Sequence, residues 1–172
     1  MSIQSPEELA ALQAIGAIVR HTLDALEAAV RPGISTAALD HLALDVASRH
    51  GARSAPQREY GFPGTVLLSV NDEIVHGVPG ARVLEDGDLI SLDVTLEKDG
   101  FVADAARTVV VGEGHHEARA LADAAEAAFV ASLAVARAGQ KTATAGRFAH
   151  ATAAGPRTTR TRSSSPQERR CC

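Results

Sequence analysis

The amino-acid sequence predicts an α+β domain in which helices cover a mostly antiparallel sheet. Two long segments with apolar residues at three- and four-residue spacing come first, as expected for amphipathic helices. Short runs rich in Val, Leu, Ile and Thr follow between turn residues, and a third helical segment comes after them. The 172 residues are enough for one ordinary domain, with a core built from aliphatic side chains because aromatic residues make up only 3%.

The first two predicted helices have clear start and stop signals. The first begins after Ser5, a predicted N-cap whose capping box is completed by Glu8, and it ends at the Arg-Pro-Gly sequence of residues 31–33. The second is predicted over about residues 36–50, and Gly51 ends it. Each helix has one apolar face, which predicts that it packs against the sheet.

Strand-like runs occupy the middle of the sequence. The last two runs form a predicted hairpin, because Lys98-Asp99-Gly100 supplies a turn between them. A third helix, rich in alanine, is predicted over about residues 117–138. The predicted strands are, in chain order, residues 65–70, the segment around His76, residues 88–96 and residues 101–111.

Composition and charge narrow the classes of function. The net charge is −4, and the basic residues are concentrated after Gln140, so the body of the chain is acidic and gives no reason to expect nucleic-acid binding. No run approaches the ~18 apolar residues of a membrane span, and the acidic N-terminus does not resemble a signal peptide. The only cysteines are Cys171 and Cys172, which cannot staple a fold, so a cytoplasmic, reducing location is expected.

The end of the chain differs in composition from the rest. The sequences "VRPGIST" and "ARAGQKT" share an offset of 106 residues, which is consistent either with an internal duplication or with chance similarity between two helix ends. A duplication predicts a second helix–helix–sheet unit, but residues 140–172 contain no Leu, Ile, Val or Met. We therefore expect a domain over residues 1–139 and a basic tail over 140–172 that is disordered or translated out of frame, the alternative being a natural basic tail.

Two carboxylates lie in apolar company on the predicted hairpin. Asp93 lies five residues before Lys98 and Asp104 lies five after Asp99, so the two face each other on neighbouring strands within one or two residues of register. Facing carboxylates repel, and a divalent cation between them removes the repulsion; hard oxygen ligands favour Mn²⁺, Co²⁺, Fe²⁺ or Mg²⁺. The alternative is that one of them pairs with Arg107. Two carboxylates are too few for a complete site, so further ligands are required from elsewhere.

The sequence around these residues resembles type I methionine aminopeptidases, of the pita-bread metallopeptidase family. The similarity covers residues 5–139 and is strongest in "YGFPGTVLLSVNDEIVHGVPG" and "VLEDGDLISLDVTLEKDGFVADAARTVVVG". The resemblance implies half of a pita-bread fold. It also implies removal of the initiator Met from nascent proteins, by attack of a metal-activated water. A proline-directed peptidase of the same fold is less consistent with "SVNDEIVHGVP".

The resemblance also implies roles for particular residues. The family holds two divalent ions (Co, Mn, Fe or Zn) with two Asp, one His and two Glu, and Asp93 and Asp104 match the two Asp. His76 matches a catalytic histidine that contacts the substrate or the transition state.

The same resemblance implies a pocket for the methionine side chain. Phe62, which follows Tyr60 and Gly61, matches an aromatic wall of that pocket. Leu67 falls where many members of the family carry Cys, so the lining of the pocket is expected to differ in detail.

The match to the family stops before the remaining metal ligands. No H-G-I-G or E-P-x motif follows, and His150 matches nothing, so two of five ligands are present. We therefore expect the chain to be inactive alone. The alternative is a non-catalytic half-domain that binds a partner through the surface left open, with self-association through the exposed half-sheet.

Overall fold

The computed structural model describes residues 3–114 and 116–153. The chain divides into two compact units, Met1–Ala122 and Asp123–Cys172. The elements are α1 (Pro6–Ala29), α2 (Thr36–Arg49), β1 (Arg53–Ser54), α3 (Ala55–Tyr60), β2 (Leu67–Val70), β3 (Leu89–Lys98), β4 (Phe101–Val110), α4 (His116–Val135) and α5 (Thr142–Ala153).

The first helix has the predicted N-cap and supplies much of the core. The Ser5 Oγ accepts a hydrogen bond from the Glu8 N–H at 3.2 Å, which satisfies one of the free donors of the first turn. By length and composition alone, α1 is apolar enough to cross a membrane. Core helices of globular domains have the same property, and α1 buries Ile15, Ile18, Val19, Thr22, Leu23 and Leu26.

Strand β3 is the centre of a four-stranded antiparallel sheet. Strand β4 pairs with it along its whole length, while β2 and β1 pair with different parts of its other edge. The β3–β4 hairpin turns at Asp99 and Gly100, which both have positive φ, as the sequence predicts for Gly100. The sheet therefore presents the middle of β3 between two neighbours.

The two faces of the sheet have different chemistry because side chains alternate along each strand. Ile90, Leu92, Val94 and Leu96 are fully buried and belong to the same core as α1 and α2. The opposite face, which we call the polar face, carries Ser91, Asp93, Thr95 and Glu97 from β3. The β3 residues of this face are polar. Self-association through the exposed half-sheet stays a prediction.

The structure corrects two sequence-based assignments in the first unit. The segment around His76 is an irregular loop and not a strand, and its backbone hydrogen bonds to β2 come from Glu73 and Gly77. The six-residue helix α3 was not predicted; it begins after Ser54, whose Oγ accepts a hydrogen bond from the Gln57 N–H. A helix of this length gives too short a pattern to recognise by periodicity.

The second unit contains the end of α4 and α5. Helix α5 begins at Thr142, 106 residues after the first residue of α2, so a helix does begin where a duplication predicts one. Its sequence, TATAGRFAHATA, contains five alanines, which favour a helix even without large apolar residues. The disorder expected from Gln140 onward is thus not seen in α5. Residues 154–172 lie outside the described residues, and the domain boundary at 139 stays a prediction.

Candidate metal and substrate site

The two aspartates of the hairpin lie on the same face of the sheet. In the β3–β4 register, Asp104 lies opposite Thr95 and Asp93 lies opposite Ala106, so the two carboxylates are diagonal neighbours. Their positions differ by two residues along the strand, and because side chains alternate between the faces, both carboxylates lie on the polar face. The Thr95 hydroxyl donates a 2.9 Å hydrogen bond to Asp104 Oδ1, which orients that carboxylate.

The environment of Asp93 disfavours its negative charge. Burial, first, and then the charge and hydrogen bonding of Asp104 raise the pKa of Asp93 to about 6, while His76 acts in the opposite direction. The two carboxylates are thus close enough to share a proton when no cation is present. A divalent cation in the same place would replace that proton and relieve the repulsion.

Arg107 does not neutralise either aspartate. It lies opposite Leu92 and therefore belongs to the apolar face of the sheet. There its guanidinium contacts Asp24 of α1 at 3.2 Å and also Glu27. The alternative of an Asp–Arg107 pair is therefore wrong, and no salt bridge among the described residues includes Asp93 or Asp104.

The described residues supply two carboxylates to the candidate metal site and no third ligand. Across residues 3–114 and 116–153, no group of three or more His, Cys, Asp or Glu side chains could hold a metal ion. Glu97 shares the polar face but is bonded to Arg53 and Arg58. The residues present fit part of a divalent-metal site, and the role of Asp93 and Asp104 as metal ligands stays a prediction.

A loop after β2 carries His76 to this face. The Gly77 carbonyl accepts a 2.9 Å hydrogen bond from the Leu68 N–H, and the Gly77 N–H donates one to Ser69 Oγ at 3.0 Å. Gly77 approaches β2 so closely that a Cβ there would lie 2.1 Å from the Leu68 carbonyl oxygen. His76 itself has φ of 60°, a conformation that costs energy and that occurs often at functional sites.

Three aromatic rings form a row beside the aspartates. We call this row, which consists of His76, Tyr60 and Phe62, the aromatic row. The His76 ring stacks on Tyr60 with centroids 6.4 Å apart, and Tyr60 meets Phe62 edge-on at 6.3 Å. Phe62 is buried and Tyr60 is exposed. Leu67 is buried and is the β2 partner of Asp93.

The functional roles taken from the sequence stay predictions. The structure puts Asp93, Asp104 and Leu67 on neighbouring strands, and it puts the rings of His76 and Phe62 beside Tyr60. It adds Glu97, Arg53 and Arg58, which the sequence analysis did not single out. The available signal was a glutamate at the end of an apolar strand, with two arginines upstream in "RSAPQRE". Such a pattern does not reveal its partners, because they lie 44 and 39 residues away in the chain.

Comparisons with known proteins identify the family of this chain. The model of metallopeptidase family M24 matches residues 10–161. A methionine aminopeptidase of Staphylococcus epidermidis is 40% identical over 154 residues, covering 89% of this chain and 61% of that protein. Methionine aminopeptidase 2 of Bacillus subtilis is 39% identical over 142 residues, covering 82% and 57%.

Solved structures agree in fold. The crystal structure of methionine aminopeptidase from Rickettsia prowazekii matches with a TM-score of 0.82 and 28% identity, over 87% of this chain and 60% of that one. Prolidase from Pyrococcus furiosus matches with a TM-score of 0.72 at 18% identity, which shows a shared fold alone. The chain thus spans about three fifths of the first of its curated relatives and has part of a pita-bread fold. It belongs to metallopeptidase family M24.

Proposed function

We propose that this chain carries the methionine-recognition part of a methionine aminopeptidase site together with two of its metal ligands. The observation that supports this most directly is that His76, which stacks on Tyr60, lies close enough to Asp93 to act on its charge, while Asp104 is the diagonal neighbour of Asp93. An apolar pocket next to a carboxylate pair is the arrangement that an exopeptidase for an apolar first residue requires.

Asp93 and Asp104 would hold a divalent ion through their carboxylate oxygens. When bound, such an ion polarises a carbonyl group and makes a water molecule more acidic. The raised pKa of Asp93 supports the proposal, because the pair is least stable when both carboxylates are charged without a cation. Oxygen ligands favour Mn²⁺, Co²⁺, Fe²⁺ or Mg²⁺, and Zn²⁺ is also accepted by carboxylates.

The remaining residues recognise the substrate. Phe62 and Leu67 are buried apolar side chains that would contact the methionine side chain, and Tyr60 extends the same wall. His76 is exposed at the end of the aromatic row, where an imidazole can hydrogen-bond the carbonyl oxygen of the scissile bond. The substrate would be an N-terminal methionine of a nascent protein in the cytoplasm.

We also propose that the 172-residue chain is inactive alone. Two carboxylates do not complete the coordination of a divalent ion, which takes five or six ligands in sites of this kind. Metal binding should therefore be weak, and a bound peptide would be open to solvent on one side.

The test combines binding and turnover. The chain is titrated with Mn²⁺ and separately assayed on a Met-Ala-Ser peptide with Co²⁺ or Mn²⁺. We expect weak Mn²⁺ binding that Asp93→Asn and Asp104→Asn each abolish, and no release of methionine. Asp45→Asn, an exposed carboxylate on α2, is the matched control. Release of methionine at rates typical of enzymes, or unchanged Mn²⁺ binding in both site variants, would contradict the proposal.

A second candidate function is that of a non-catalytic half-domain that binds a partner. It is favoured by the apolar side chains around His76, since Ile74 is 90%, Val75 64% and Val78 58% exposed. A stoichiometric complex with a defined protein would support it if Ile74→Ser and Val75→Ser disrupt the complex. Loss of that complex with Asp93→Asn instead would favour the metallopeptidase site.

A further inference from the structure

The polar face carries a third carboxylate, and it is engaged in a different way. Glu97 follows Asp93 by four residues on β3, so both side chains leave the same side of the sheet. Glu97 is only 4% exposed. Its Oε2 accepts hydrogen bonds from Arg53 Nε at 2.5 Å and from Arg58 Nη1 at 3.0 Å, and its Oε1 accepts one from the Gly100 N–H at 2.7 Å.

The two arginines come from different elements. Arg53 is in β1 and is the direct β-partner of Glu97, whereas Arg58 is in α3. One carboxylate thus joins the β3–β4 hairpin to both β1 and α3. The Glu97 side chain is buried, whereas those of Arg53 and Arg58 are 65% and 52% exposed. The fixed partner in these three-residue contacts is therefore Glu97 on β3.

Helix α3 in turn determines where the aromatic row lies. Tyr60 is the last residue of α3, two positions after Arg58. Gly61 follows with φ of 70°, and the Phe62 N–H donates a hydrogen bond back to the Pro56 carbonyl at 3.2 Å. Both rings are therefore attached to the helix that Glu97 holds through Arg58.

We propose that Glu97 is a positioning residue that, through Arg58 and Arg53, sets the place of Tyr60 and Phe62 against His76. The role of those rings as a wall of the substrate pocket rests on the proposed function. The positioning of the rings by Glu97 does not depend on it. The charges around Glu97 support this positioning role. Arg53 and Arg58 together carry more positive charge than Glu97 carries negative charge, so Glu97 is not expected to bind a metal ion as well. Hydrogen bonding from Arg53 and from Gly100 holds the pKa of Glu97 down to about 2, so it stays ionised at neutral pH.

The composition of the chain allows a direct test. Tyr60 is the only tyrosine and there is no tryptophan, so ¹³C-labelled tyrosine gives one ring signal in NMR spectra of the whole chain. We expect Glu97→Gln to move that signal to the position of a solvent-exposed, unstacked ring. The far-UV circular dichroism should be unchanged.

The matched control is Glu27→Gln. It makes the same chemical change in the Arg107 ion pair between α1 and β4 and should leave the Tyr60 signal where it is. Arg58→Gln is a second variant. The Arg58 side chain is 52% exposed, so this change leaves the core intact, and it should reproduce the change in the Tyr60 signal. Arg58→Lys should restore the signal in part, because it keeps a charge beside Glu97.

The outcomes distinguish this inference from the proposed function. A Tyr60 signal identical to that of the unaltered chain in folded Glu97→Gln overturns the positioning role, and so does an unchanged signal in Arg58→Gln if the first variant fails to fold. Failure of methionine or of Mn²⁺ to bind, with the expected Tyr60 changes present, contradicts the proposed function and leaves the positioning role supported.

Discussion

At the scale of single residues, Asp93 is the one whose surroundings most disfavour its charge. It is half-buried on the polar face, beside a second carboxylate and without a basic partner at salt-bridge distance among the described residues. A carboxylate in this position lowers the stability of the folded chain whenever it is charged, unless a cation is bound. The same feature that costs stability thus favours metal binding.

The pKa of Asp93 predicts the pH dependence of stability in the metal-free chain. Its value of about 6 lies above the ordinary 3.8, so the folded state binds the proton more tightly than the unfolded state. Stability should be highest below the ordinary value, decrease as the pH rises through the window up to about 6, and stay low above it. Asp93→Asn should remove this dependence and raise the free energy of unfolding at neutral pH by about 1 kcal/mol, a value reduced for solvent screening of a half-exposed group.

Urea unfolding of both proteins between acid and neutral pH checks this. Asp45→Asn should keep the pH dependence of the unaltered chain, because Asp45 is exposed on α2. Equal stability of Asp93→Asn and the unaltered chain at every pH would show that Asp93 is not destabilised by its surroundings.

Among the elements, the loop after β2 and the short helix α3 build the site. The loop is bonded to β2 through Glu73 and Gly77, and α3 is bonded to β3 through Arg58 and Glu97. The sheet is the rigid support, and the substrate-contacting side chains lie on irregular or short segments attached to it. Small changes at the attachment points should therefore affect the aromatic row more than changes in the core.

Gly77→Ala should displace the loop and destabilise the fold. The new Cβ would lie 2.1 Å from the Leu68 carbonyl oxygen, which is backbone and cannot move without disturbing β2. We expect a loss on the order of 2–4 kcal/mol in the free energy of unfolding, together with a changed Tyr60 signal. Chemical denaturation and NMR of labelled tyrosine measure the two effects.

Gly80→Ala is the control for this substitution. Its nearest atom would be 4.0 Å from the added Cβ, and the backbone there does not have positive φ. A stability change as large in Gly80→Ala as in Gly77→Ala would mean that the close approach to β2 is not the cause.

The whole molecule exposes apolar surface on α4 that an ordinary domain would cover. Phe129, Val130 and Leu133 are 62%, 57% and 54% exposed, and their spacing puts them on one side of the helix. The chain spans 61% of the length of the methionine aminopeptidase of Staphylococcus epidermidis that it matches.

We therefore expect the chain to self-associate in a concentration-dependent way. Burial of these side chains between copies would contribute roughly 25 cal/mol per Å² of apolar area. Sedimentation of the Phe129→Ser/Leu133→Ser double variant should give a smaller species than the unaltered chain at the same concentration. Leu44→Ser, an isolated exposed leucine on α2, is the control; a monomeric unaltered chain at high concentration would contradict the prediction.

The features of this protein that follow from its sequence are determined by residues close together in the chain. Alternation along the strands and a turn at residues 98–100 are enough to put Asp93 and Asp104 on one face of a hairpin, and the cap residue Ser5 locates the start of α1. The tertiary structure decided what each polar group touches. Arg107 turns to α1, Glu97 is taken by two arginines, and Tyr60 stacks on His76. These contacts join residues far apart in the chain, and their energies depend on distance and burial, which no local pattern of residues contains.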